Sequence, residues 1–259
     1  MTAKFNIMLI DSMKINEKNI RKEFIWHKFY KRLNFNNKIF YFIRSIFHGI
    51  LTPFYFSLFH NHFQACLKNK SISKKGNFLP WFTYPLIELL KNINFENKKI
   101  LEFGSGCSTH FFLDKKAIVT TYEKNKRWIE FISNRKSEKL KIYNRTINQE
   151  EELSELIGKK FDLIIIDGHH RQSILQKTIK MDLLNKNGAI IFDNSEVYDF
   201  SETIKQDEFN LLQKVDFYGH TPAVFRKHCS TVLFFRNEAC FLFDRNISLL
   251  NSFELNSPL

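Results

Sequence analysis

The sequence predicts an α/β domain built on a mostly parallel, seven-stranded, doubly wound sheet, preceded by a helical extension. Three observations carry that expectation. From about residue 80 onwards, short apolar runs alternate with segments of helical periodicity, the pattern of a parallel sheet covered on both faces. Glycines and acids gather where those runs end. The first 75 residues differ in kind, being basic and crowded with aromatic side chains.

The elements follow in order. "KKILEF" (98–103) is a strand that stops at Gly104, and "CSTHFFLDK" is a short helix with Ser108 or Thr109 in its first turn. "AIVTTYE" (117–123) is a β-branched strand closed by Glu123. "KNKRWIEFISNRKS" (124–137) places Trp128, Phe131 and Ile132 at helical spacing. "LKIYNRTI" reads as a third strand and "QEEELSELIG" as an acidic helix stopped by Gly158. "FDLIIID" is a continuous apolar run of the kind buried on both faces. "RQSILQKTIKMDLLNKNG" is a helix with a glycine stop, and "AIIFDN" a fifth strand. A helix at about 199–213 precedes "KVDFYGH" and "STVLFFR", a terminal pair of strands. The domain expected from these elements spans 76–245, between a 1–75 extension and a 246–259 tail.

Charge is distributed unevenly. Residues 1–80 hold 14 Lys and Arg against Asp11, Glu17 and Glu23, a net of +11 out of +12 for the chain. "IFYFIRSIFHGILTPFYFSLF" (39–59) is long enough to span a bilayer, but Arg44, His48 and Pro53 interrupt it. Packing on the main domain through the Phe faces, and contact of residues 1–75 with an anionic membrane surface, both stay open. Four cysteines without CxxC or CxxH spacing argue against a zinc site or a disulfide framework. They suit a reducing cytoplasm, and membrane contact would place the chain on the inner face. The N-terminus has no basic start, long apolar stretch or small-residue cleavage site of the secretory kind.

Ligands of such sheets bind beyond the carboxyl ends of the strands, where Glu102, Gly104, Glu123, Asp167 and Asp193 all fall. In "LEFGSGCST", Gly104, Ser105 and Gly106 form a turn that lets a ligand approach the backbone. An acid 19 residues after Gly104, Glu123, can accept hydrogen bonds from ribose hydroxyls. Thr109 replaces the third glycine of a dinucleotide fingerprint, which disfavours a pyrophosphate ligand.

On these residues the sequence resembles the class I S-adenosylmethionine-dependent methyltransferases. "ILEFGSGCST" looks like their first motif, "TTYE" like their acidic second-strand end, and "FDLIIIDG" and "LLNKNGAIIFDN" like their fourth- and fifth-strand motifs. "GNFLPWFTYPLIELL" and the closing "FYGHTPAVF…STVLFFR" are similar to a bacterial subgroup of uncharacterised methyltransferase-like proteins. The resemblance covers about residues 70–236 and implies a Rossmann-like fold. It implies that Glu102 and Gly104–Gly106 hold the methionine portion of S-adenosylmethionine and Glu123 its ribose, with Asp167 also at the cofactor.

Two arrangements could perform the transfer, which needs alignment of nucleophile and methyl group and, where required, a base. Asp167, Asp193 and Asn194 could hold Mg²⁺, a pattern similar to the catechol and caffeoyl-CoA type O-methyltransferases. In the catechol type the base is a lysine three residues after the first Asp; here that position is His170, able to accept a proton near neutrality. Alternatively the site is metal-free, with His169 or His170 as base and Asp167 orienting it. Arg171 is then a grip for a carboxylate or phosphate of the substrate, with Tyr84 a second candidate contact. Against both stands the plain reading that strand-end acids only cap helices.

The Asp-Gly-His-His after strand four lacks the Asn/Asp-Pro-Pro-aromatic run of enzymes that methylate base amino groups, so nucleic acid is disfavoured. No Gly-x-x-x-x-Gly-Lys loop is present. The expected activity is O-methylation of a small-molecule or glycan-linked hydroxyl. A non-catalytic binding or scaffold protein of the same fold, or an RNA-directed methyltransferase, is the alternative; the oligomeric state is left open.

Overall fold

The computed structural model describes residues 38–145, 153–200 and 211–243. Of these, 38–55 belong to one compact unit and 56–243 to a second.

The first unit is helix α1 (Lys38–Phe59), whose last turn runs into the second unit. Its large apolar side chains include Phe42, Phe47 and Phe54, all exposed. Helix α2 (His62–Lys68) follows, and α3 (Tyr84–Lys91) has Pro85 in its first turn, where the missing N–H costs no hydrogen bond.

The strands are β1 (Lys99–Phe103), β2 (Ile118–Tyr122), β3 (Leu140–Tyr143), β4 (Phe161–Ile166), β5 (Leu184–Asp193), β6 (Leu212–His220) and β7 (Lys227–Phe235). They form one sheet in the order β3-β2-β1-β4-β5-β7-β6. The first five are parallel, and β7 runs antiparallel between β5 and β6. The helices between them are α4 (Cys107–Asp114), α5 (Lys126–Ser133) and α6 (Arg171–Lys180).

Strand β4 explains why the sheet needs cover on both sides. Leu163 and Ile165 enter one core, with Phe82, Phe95 and Phe112; Ile164 and Ile166 enter the other, with Ile174 and Leu175 of α6. All four β4 residues are fully buried, so neither face of the strand could tolerate water.

Several elements differ from expectation. The helix from Arg171 stops at Lys180, and β5 begins at Leu184, ahead of the apolar run. The pairing with β4 jumps from Phe161↔Leu184 to Leu163↔Ala189, so Asn185–Gly188 form a bulge. Gly188 is a bulge residue rather than a helix stop: a Cβ there would lie 2.8 Å from the Asp162 carbonyl oxygen. The described end of the acidic segment is one 3₁₀ turn, Ser154–Leu156, while 149–152 lie outside the described residues. Most of the expected 199–213 helix also lies outside them, and Leu212 and Gln213 already belong to β6.

Candidate active site

The reversal of strand order lies between β1 and β4, whose neighbouring crossovers run in opposite directions. Such a reversal opens a crevice at the carboxyl ends, because the flanking loops part there. A cavity of about 530 Å³ occupies it, lined by the β1–α4, β2–α5 and β4–α6 loops. That volume suits a nucleoside-sized ligand.

The first wall is the glycine turn. Gly104 has φ +97°, and a Cβ on it would sit 2.5 Å from the Asp167 carbonyl oxygen. Only glycine allows this loop to lie against the end of β4. Gly106 lies under the Trp128 ring, where a Cβ would make only an ordinary contact at 3.5 Å.

Glu102 stands behind this turn, not on the cavity. It is fully buried and accepts hydrogen bonds from the Ser108 and Thr109 hydroxyls, both at 2.5 Å. Burial pushes its carboxyl up to about 7, against the pull of those hydroxyls. Its geometric role is to tie the start of α4 to β1, which shapes the turn from within. Thr109 returns the service by accepting from the Gly106 N–H at 3.1 Å.

Glu123 does line the cavity. Its Oε1 accepts the N–H groups of Lys124 (2.8 Å) and Asn125 (2.7 Å), and its Oε2 accepts the Ser105 N–H (3.0 Å). Three backbone donors fix the carboxylate, and the Ser105 hydroxyl adds a long fourth bond to Oε2 at 3.4 Å, the one a ligand hydroxyl would have to displace. Ser105 thus joins the two loops that the sequence had placed side by side.

At the far wall, Arg171 forms the central contact. Its guanidinium donates to Asp167 Oδ1 at 2.8 Å and to Asn194 Oδ1 at 2.9 Å. It therefore clasps the ends of β4 and β5 together. Two of its N–H groups are engaged within the protein, while the side chain still lines the cavity and its Nε N–H meets no hydrogen-bond partner there. Asp193 points elsewhere: it is buried and accepts from the Ser230 hydroxyl at 2.6 Å. Burial raises Asp193 to about 6, and burial with the nearby Asp193 charge raises Asp167 well above the ordinary carboxylate range. The donor set expected for Mg²⁺ does not fit a metal: a guanidinium already sits between Asp167 and Asn194, and Asp193 is held by Ser230.

His170 and His169 are exposed and line the cavity. His170 is the residue before α6 and holds φ 56°, a left-handed conformation that costs energy outside glycine and asparagine. Asp167 pairs with Arg171 rather than with His170, so the expected orienting bond is replaced by the ion pair. Tyr84 lies away from the cavity; it is buried, and its hydroxyl meets His62 Nδ1 at 3.1 Å.

Other lining residues escaped the sequence reading. Trp81 and Trp128 meet edge to face with ring centres 6.4 Å apart, and the Trp81 indole N–H donates to the Pro222 carbonyl. Tyr122 and Tyr198 add further ring surface to the cavity wall. The rarity of tryptophan, three in the chain, was the available signal.

The five parallel strands, the reversed β7 and the cofactor-end glycine turn together decide the fold. The chain has the class I S-adenosylmethionine-dependent methyltransferase fold. No protein-family model and no curated protein matches the sequence. Among solved structures it is similar to TomG, an O-methyltransferase of Streptomyces achromogenes involved in tomaymycin synthesis, solved in complex with SAM. The identity is 13%, over 58% of this chain and 78% of that one, with a TM-score of 0.42. It is also similar to cofactor-bound Rv0187 from MTB (16% identity, 68% and 90% covered, TM-score 0.44). An rRNA methylase from Streptococcus thermophilus is a third (12% identity, 56% and 90% covered, TM-score 0.40).

Proposed function

We propose that this chain binds S-adenosylmethionine and transfers its methyl group to a hydroxyl of a small-molecule or glycan-linked acceptor, without a divalent cation. The observation that carries the reading is the junction of the glycine turn, Glu123 and the β4–α6 loop around one cavity. A cofactor there suits the close approach of the β1–α4 loop to β4 that Gly104 allows, and the Glu123 carboxylate, whose long bond from the Ser105 hydroxyl a ribose hydroxyl would replace. S-adenosylmethionine, when bound, supplies an electrophilic methyl on a sulfonium.

The chain's own residues do the rest. Ser105 and Glu123 hold the nucleoside end, and Trp81 and Trp128 exclude water from it. Arg171 keeps the β4 and β5 ends at fixed separation, so the floor of the cavity is rigid. His170, on the cavity rim, takes the acceptor hydroxyl's proton. An acceptor hydroxyl loses its proton as the oxygen–methyl bond forms, and an imidazole is suited to receive it near neutral pH.

Calorimetry with S-adenosylmethionine tests the first step; no heat and no protection against melting would end the proposal. Labelled S-adenosylmethionine with fractionated cell extract would identify the acceptor. With that acceptor, His170→Asn should lower turnover about 100-fold while cofactor affinity holds, since asparagine tolerates the left-handed backbone. Near-normal turnover in this variant would move the base role to His169.

A further inference from the structure

The geometry points to helix α1 as an amphipathic anchor that lies in the surface of an anionic membrane. At about 100° per residue, Ile43, Phe47, Ile50, Phe54 and Leu58 fall on one side of the helix. Ser45, His48, Gly49 and Thr52 fall on the other, interspersed with the aromatic rings of Tyr41, Tyr55 and Phe59, and Arg44 lies at its margin. The apolar side is uncovered: Phe47 is 60%, Phe54 66% and Leu58 70% exposed. A contiguous apolar face of this length in water is costly unless something covers it.

Charge selects the cover. Between Glu23 and Glu88 the sequence has no acidic residue and nine Lys and Arg. An acyl layer beneath anionic headgroups satisfies both the Phe-rich side and the flanking positive charge. Lying in the interface also suits the polar side better than crossing does. A spanning helix would carry Arg44, His48 and Thr52 through the hydrocarbon, whereas an in-plane helix keeps that stripe in water. The Ser45 hydroxyl donates to the Tyr41 carbonyl at 2.8 Å, so it needs no partner from outside the helix.

Flotation of the full chain with lipid vesicles tests the assignment. Binding is expected to vesicles of phosphatidylcholine with phosphatidylserine, weaker to phosphatidylcholine alone, and reduced by added salt. Arg44→Gln should lower the partition coefficient about fivefold, the effect of one basic residue at such a surface. Phe47→Asp with Ile50→Asp should lower it more than about tenfold. An unchanged near-UV circular dichroism spectrum would show that the variant keeps its fold; if the spectrum changes, Phe47→Ser with Ile50→Ser takes its place. Failure of the wild-type chain to float with anionic vesicles would overturn the proposal. So would a concentration-dependent dimer in ultracentrifugation that the double variant abolishes, which would make a second copy the cover. Retention in the membrane after alkaline carbonate extraction would overturn the in-plane arrangement.

Discussion

Arg171 and Asp167 form an ion pair one helical turn apart, 2.8 Å between guanidinium and carboxylate, at the point where β4 hands over to α6. The same guanidinium reaches Asn194, so one cation serves the ends of two strands. Replacement of Arg171 by methionine removes the charge and keeps much of the side-chain bulk. Asp167, already raised by burial, would then stay protonated rather than be left as a bare charge, which limits the cost. The expected loss is roughly 2 kcal/mol in urea unfolding. It should grow as pH rises, because a carboxyl raised further in the folded state loses its stabilising share through that higher value. With the acceptor identified, EDTA should leave wild-type turnover unchanged; inhibition reversed by Mg²⁺ would contradict the reading of Arg171 as the resident cation.

Gly104 tests the cradle. Alanine there meets two obstacles at once, a φ of +97° and a contact of 2.5 Å with the Asp167 carbonyl. The β1–α4 turn must lift away from β4, so binding of S-adenosylmethionine should weaken at least about 100-fold by calorimetry, with a fall in melting temperature. Gly76→Ala is the control: it also has positive φ, but its added Cβ meets nothing within 4 Å. The control should lose some stability and keep cofactor affinity.

How much of this was legible in the sequence depends on whether a feature is local. "LIII" could be read as the buried part of a strand because a strand covered on both sides leaves no polar position there, and Leu163–Ile166 of β4 have that burial. Glu123 could be placed because it closes such a strand. The start of β5 could not, since Asn185, Lys186 and Asn187 look like a loop and become strand only through a bulge against β4. Tyr84 and Asp193 were misjudged for a related reason: where a side chain points at an element's end is decided by what packs there, here His62 and Ser230. The Arg171 clasp had a visible half, the four-residue spacing from Asp167, and an invisible one, the neighbouring position of Asn194.

The two indoles offer a direct optical test of where a ligand sits. Trp81 and Trp128 both wall the cavity, and the chain's third tryptophan, Trp26, lies outside the described residues. Titration with S-adenosylmethionine should change tryptophan emission saturably, with the dissociation constant found by calorimetry. Trp128→Phe should lose most of the change while keeping a ring beneath the turn at Gly106. If the signal survives in Trp81→Phe and Trp128→Phe together, the ligand binds elsewhere.

Glu102 gives the chain a built-in pH dependence that is separate from catalysis. Its side chain is fully buried, and burial lifts its carboxyl from an ordinary value of 4.5 to about 7. The folded protein therefore keeps this proton through a range in which the unfolded chain has released it. A group raised in this way contributes stability that is complete below about 4.5 and lost as pH climbs to about 7. Glu102→Gln removes the titration and keeps the shape, and Thr109 can turn its hydroxyl to accept from the new amide. Relative to wild type, the glutamine variant should gain stability between about pH 4.5 and pH 7, by at most roughly 3 kcal/mol. Urea unfolding of both proteins across that interval measures the difference. A constant offset at all pH values would mean that Glu102 is ionised throughout, with the Ser108 and Thr109 hydroxyls outweighing its burial.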